Sequence, residues 1–389
     1  MPAKTLSLLL KACLIVLSIM LFSCSGQKAA TQKFSITQDS LVINTQKHKG
    51  PGPFMLGAGL DLFKKDTLRL VLPQGIDSVL HYRFYFDFRA LDNYADIISG
   101  YRDTTPVYIV DANQNRTFTD DTAETWESFE WTSPTKLTPI TFSLSDGRKM
   151  VPGKSWLNIG LSQGNYAVGR SEHLAANFKL GKDTFTIGIA ETRNPLSFTY
   201  GIHTQGALLA QNKQAKDSIK TRDMVALNNY FNLNGSYYRF EGISNFGERI
   251  TLVKDPYYNS RTGVQAGMLA PAFIAVTIAR DTINSASYNK YKIIANSCGC
   301  GGDVQSAAAA KEITNTYSGQ ALVLTMDTGE KLEGMAIADT KNPANRALYE
   351  NYRGEYCSRL CYVIGPDNRI ADIFEITEWK ASLPKIIRP

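Results

Sequence analysis

Four cysteines in the last quarter of this 389-residue chain are the side chains best suited to chemistry. Cys298 and Cys300 flank a single glycine in SCGCGG, and Cys357 and Cys361 follow farther along. The chain holds six cysteines, and none lies between Cys24 and Cys298. A disulfide framework would be spread through the fold, so this clustering points to one local chemistry. Thiolates offer two: exchange with other disulfides, and coordination of a soft ion such as Zn²⁺ or Cu(I). For a metal site Cys-x-Cys is less usual than Cys-x-x-Cys, and none of the histidines (His48, His81, His173, His203) falls near these cysteines in sequence.

The surrounding segments bear on that choice. YKIIANS, Tyr291 to Ser297, reads as a buried strand, and DVQSAAAAKEITNTY after the cysteines reads as a helix stopping near Gly319. A cysteine in such a strand-to-helix turn meets the positive end of the helix dipole and free backbone N–H groups, which favour the thiolate. Cys298 is therefore the first choice of nucleophile. A bridge from Cys298 to Cys300 would close a small ring in which normal disulfide geometry is hard to reach. Such a bond is easily reduced, which suits an oxidant or isomerase better than a strong reductant. Cys361 sits within a strand and reads as a buried core thiol, with a Cys357–Cys361 pair open if it points toward the preceding loop. Downstream, ALVLTMD reads as a strand, NPANRALYENYRG as a helix capped by Asn342, and LCYVIGPDNRIADIFEI as a hairpin. Apolar strands without alternation, separated by helices, predict a parallel core sheet with the hairpin as an antiparallel edge.

Residues 36–258 read differently. Short aromatic or β-branched runs such as HYRFYFDFRAL, ITFSLS and WLNIGLS are punctuated by turn residues, including the hairpin signal Asn234-Gly235. One or two β-sandwich-like units are expected. The stretch Ala207 to Asn228 has a helical reading, although Gln211 to Asp223 reads equally as an exposed loop. VDANQNRTFTDD imitates the first half of a calcium loop with Asp111, Asn113, Asn115, Asp120 and Asp121. Arg116 stands where that loop needs glycine and Thr122 where it needs glutamate, so a charged turn is the simpler reading. Glu172-His173 shows no catalytic spacing, and there is no glycine-rich phosphate loop or serine-nucleophile elbow.

The first residues carry Lys4 and Lys11, then a leucine-rich run, then Leu21-Phe22-Ser23-Cys24, which resembles the bacterial lipobox. On this reading residues 1–23 are a signal peptide, Cys24 is lipidated, and residues 24–35 are a polar tether to the cell envelope. Loss of 1–23 removes two lysines and no acids, so the formal charge falls from +6 to +4. That excess, without a basic run carrying interleaved aromatics, gives no case for nucleic acid.

Three pieces of the C-terminal third fall in a known order. Gly267-Met-Leu-Ala270-Pro271-Ala-Phe273 is similar to a G-x-x-A-P-x-F entry motif. A strand then runs into Cys298 and a helix, and Arg359 to Ile370 resembles a TFLIDxxGxI hairpin. Together they resemble the TlpA-like thiol-disulfide oxidoreductases, peroxiredoxin relatives within the thioredoxin superfamily, over residues 263–389. The resemblance implies an α+β multidomain chain with a C-terminal thioredoxin-like α/β domain. It also implies that the loop holding Cys357 folds back against the Cys-Gly-Cys, making Cys298, Cys300 and Cys357 the catalytic set. The partners would be thiols and disulfides, with no dissociable cofactor. Three departures stand against the family pattern: Gly301 occupies the usual second-cysteine position, Ser297 replaces the common tryptophan, and Ser358-Arg359 replaces the usual proline. A redox-inactive binding module and a thiolate Cu/Zn protein therefore remain as alternatives.

Overall fold

The computed structural model describes residues 39–60, 62–63, 70–85, 94–145, 149–194, 196–297, 303–326, 335–353 and 358–388. The expected signal peptide and tether, with Cys24, and also Cys298, Cys300 and Cys357, lie outside the described residues.

Alternation decides where the N-terminal strands point. In Thr138–Ser145 the apolar residues Ile140, Phe142 and Leu144 are buried while Pro139, Thr141 and Ser143 face out. This strand pairs with Met150–Ser162, which pairs with Asn165–Arg170 and then Ala58–Gly59. A second four-stranded sheet runs Asp77–Tyr85, Tyr94–Arg102, Thr105–Val110, Ala123–Thr125. Tyr82, Ile97, Val110, Ile140, Leu157 and Val168 from the two sheets share one core, the face-to-face packing of a sandwich.

The largest sheet has nine strands and turns on β1 (Ser40–Lys49). Thr45 to Lys49 pair antiparallel with β2 (Glu172–Leu180), whereas Ser40 to Asn44 pair antiparallel with β3 (Arg249–Lys254). Ile43, Leu174, Ile189, Phe231, Phe240 and Leu252, drawn from strands across the order, close over a common core. Asn234-Gly235 makes its hairpin as expected, with φ of 54° and 77° and Leu233 opposite Ser236. Ala207 to Asn228 is not helical: Thr204–Gln211 is a strand paired with Asp183–Glu191, followed by short strands and a 3-10 turn. Arg170 is fully buried and ties the sandwich to the large sheet by donating to the carbonyls of Glu191 (3.1 Å) and Ser197.

The C-terminal sheet comprises β4 (Tyr291–Asn296), β5 (Ala321–Met326), β6 (Ala336–Ile337), β7 (Leu360–Ile364) and β8 (Ile370–Glu375), in spatial order β6-β5-β4-β7-β8. Helices α1 (Val304–Tyr317) and α3 (Trp379–Ile386) supply Ala310, Ile313 and Leu383 to a core on one face; α2 (Arg346–Tyr352) supplies Leu348 and Tyr352 on the other. The pairings β4–β5 and β5–β6 are parallel, while β4–β7 and β7–β8 are antiparallel. β4, β5 and β6 thus form the expected parallel core, and the β7–β8 hairpin is its antiparallel edge.

The expected fold class is corrected. Across the described residues 49% are strand and 14% helix, the three α-helices are short, and the sheets are mostly antiparallel. The chain is therefore a strand-dominated fold, not an α+β chain ending in a thioredoxin-like α/β domain. Among the described residues the α-helices belong only to the C-terminal sheet, while the two four-stranded sheets and the nine-stranded sheet are antiparallel and outweigh them.

Residues Asp39–Pro389 cluster as one unit. Gln265 acts as a strand substitute, its amide accepting from Tyr230 N (2.8 Å) and donating to Tyr230 O (3.0 Å). Tyr258 stacks on Tyr237 with centroids 3.5 Å apart and donates to Ala266 O. Gly267 adopts φ +91°, which glycine takes at no steric cost, and its N–H meets Ile370 O, docking the GMLAPAF segment on β8.

Candidate functional site

The structure describes both shoulders of the cysteine loop rather than the thiols. β4 ends at Asn296, and Ser297 is pinned to the end of β5, its N–H and hydroxyl both donating to Met326 O (3.1 and 3.2 Å). On the far side Asp303 caps α1, its carboxylate accepting from Ser306 N at 3.2 Å. An aspartate just ahead of a helix satisfies one orphan N–H and complements the dipole. The alanines behind it let α1 pack closely, with Ala309 and Ala310 buried against the sheet.

Contacts join these shoulders to described residues on either side of Cys357 in sequence. Arg359 Nε lies 3.1 Å from Asp303 Oδ2; the aspartate side chain is 3% exposed and the arginine 43%. Asn296, only 1% exposed, donates through Nδ2 to Tyr352 O (2.7 Å) and Leu360 O (2.8 Å). Those carbonyls precede and follow Cys357 in sequence, so one amide ties Tyr352 and Leu360 to the strand leading to Cys298. Arg359 O in turn accepts from Ile376 N at 2.7 Å. The site's electrostatics are mixed: the helix N-terminus and Arg359 favour an anion, and Asp303 opposes one.

Cys361, in contrast, is a core residue. It is fully buried on β7, opposite Ala295 and Phe374, among Ile293, Val363 and Leu383, and its thiol is free. Burial, with a smaller push from the Asp372 carboxylate, drives its thiol well above the ordinary range. It is an inert apolar filler, as its place inside a strand suggested. Sequence reasoning noticed Arg359 but missed Asn296 and the capping role of Asp303. The cap had a readable signal, aspartate before an alanine-rich periodic run. Asn296 had none, because its partners are set by tertiary packing.

The Asp111–Asp121 segment is a self-bonded charged turn. Asp111 accepts from Asn115 N (3.0 Å) and Arg116 N (2.9 Å), and Asp120 accepts from the amides of Asn113 and Asn115. Arg116 takes φ 64°, the left-handed place where glycine was missed. Among the described residues no three His, Cys, Asp or Glu side chains converge as a metal-binding group.

No family model and no curated protein matches the chain. Solved structures align with it, among them two from Bacteroides. One, a candidate protein disulfide isomerase from Bacteroides thetaiotaomicron, has 13% identity and a TM-score of 0.26, covering 32% of this chain and 91% of its own. The other, a thiol:disulfide interchange protein from Bacteroides sp., has 10% identity and a TM-score of 0.25, covering 34% and 93%. At this level of likeness neither carries an argument for the present chain.

Proposed function

We propose that the C-terminal part exchanges thiols and disulfides at Cys298, Cys300 and Cys357. The observation that supports this reading is the Asp303–Arg359 ion pair, between residues that follow Cys300 and Cys357 closely in sequence. Cys300 is three residues from Asp303 and Cys357 two from Arg359, so each tether is at most about 11 Å at 3.8 Å per Cα step. The Cys298 thiolate attacks one sulfur of a substrate disulfide and expels the other as a thiolate. Cys300 or Cys357, deprotonated, then attacks the Cys298 sulfur, forming an intramolecular disulfide and releasing the second substrate thiol. Two electrons pass to the substrate, and an external dithiol restores the starting state. The same steps in reverse oxidise a substrate dithiol, the direction favoured by a strained Cys298–Cys300 bond. Anchorage through lipidated Cys24 at the cell envelope belongs to this proposal and is tested by radiolabelled fatty acid, with Cys24→Ser expected to lose the label.

Trapping tests the chemistry. Cys300→Ser combined with Cys357→Ser should accumulate mixed disulfides through Cys298 that collapse on reduction. Absence of any such adduct, together with no turnover of a model disulfide by the parent protein, refutes the proposal.

A further inference from the structure

The chain has four histidines, and two of them meet where β1 pairs with β2. His48 and His173 stand directly opposite each other in the antiparallel register. Their rings stack with centroids 5.5 Å apart and planes at 25°. His173 Nδ1 lies 2.8 Å from Gly50 O. A carbonyl only accepts, so Nδ1 carries the proton and Nε2 presents a lone pair. This is the support that orients a metal-binding imidazole: a backbone carbonyl on the distal nitrogen fixes tautomer and ring plane. Gly52, at φ +62°, packs on the same ring, and a Cβ there would come within 3.0 Å of its Cγ and Nδ1. The ring is thereby held, while His48 is exposed and can turn a nitrogen toward it.

Charge on this face suits a cation. Side chains alternate along a strand, so Lys47 and Lys49 project from the opposite face of β1. There they meet Glu172 (2.9 Å) and the Trp156 ring (5.9 Å). Burial lowers the His173 pKa, the bond to Gly50 opposing and the neighbouring His48 assisting, which keeps the ring in its ligating neutral form.

We infer that His48 and His173 form a two-point chelate for a late first-row divalent ion, Cu²⁺ ahead of Zn²⁺. The ion's other positions stay open to solvent or an external ligand, and its binding cross-links β1 to β2. The site is separate from the cysteines and stands whether or not they are redox active.

The test is titration of the full chain with Cu²⁺, and separately Zn²⁺, after alkylation of its accessible thiols, followed by calorimetry and by nitrogen hyperfine structure in the Cu²⁺ resonance spectrum. One equivalent should bind with two imidazole nitrogens. His48→Ala and His173→Ala should each weaken binding at least about tenfold through loss of the chelate, and the double variant little further. His48 is exposed, so its variant folds and serves as the decisive arm. Undiminished affinity in His48→Ala, or binding without imidazole nitrogens, overturns the inference.

Discussion

Asn296→Ala should loosen the segment that holds Cys357 without unfolding the chain. The substitution removes two hydrogen bonds, to the carbonyls of buried Tyr352 and half-buried Leu360. Each bond is worth about 1 kcal/mol net, and a carbonyl left dry costs about 1–3 kcal/mol. An offset exists, because Asn296 Oδ1 is itself buried with no partner in the described structure, and alanine relieves that penalty. The balance is a local loss of about 2–3 kcal/mol. At 1.4 kcal/mol per tenfold, amide exchange at the end of α2 and the start of β7 should accelerate about 30–150-fold. Hydrogen exchange read by mass spectrometry on peptides covering 346–353 and 358–364 measures it, with the Asn165–Arg170 strand as an unaffected control. Asn296→Asp keeps the shape but aims a carboxylate at the two carbonyls, so at neutral pH it should be at least as disruptive as alanine. Exchange in Asn296→Ala less than about fivefold faster would mean that the amide does not clamp the segment, and the reasoning fails.

Further outcomes follow from other sites. Asp303→Asn keeps a good helix cap but loses the ion pair; in a double-mutant cycle with Arg359→Met the coupling should be about 0.5–1.5 kcal/mol, kept small by the exposure of Arg359. Burial, then the Asp120 and Asp111 charges, push the Asp121 carboxyl up to about 6 against a bond from Ala112 N. Its folded value is thus raised above the unfolded one, so its stabilising contribution is full below about pH 4 and lost as pH rises through about 6. Asp121→Asn should therefore raise the melting temperature at pH 7 and change little at pH 4, and an equal shift at both would refute the assignment. Cys361 should resist alkylation until denaturation, and Cys361→Ser should cost about 1–3 kcal/mol in urea titration by burying an unpaired hydroxyl. Gly169→Ala should be far worse, since its Cβ would lie 1.8 Å from Leu56 O, a backbone clash that folded-protein yield will report.

Local chemistry was the legible part. Asn342 caps the turn before α2 by accepting from Ala344 N, Asn234-Gly235 turns its hairpin, and Gly365 to Asn368 link β7 to β8. Each is decided within a few residues, where turn and cap chemistry acts. Thr204–Gln211 was misread because alanine and leucine favour helix in isolation, while pairing with Asp183–Glu191 places them in a sheet. Helix α3 went unnoticed because Pro384 lies inside it. Around the cysteines, the strand and the helix were readable from their periodicity. Asn296, and the meeting of His48 with His173, were not, since both depend on which distant segments become neighbours.

The divided partnership of β1 bears on how the chain is made. Ser40–Lys49 emerges from the ribosome before almost all of the fold, yet its two halves must wait for Glu172–Leu180 and then Arg249–Lys254. Loop closure over such separations is slow, so the strand synthesised early is among the last to be locked. Until then it is an unpaired edge open to wrong partners, and the lysines at 47 and 49 are the charges that discourage them.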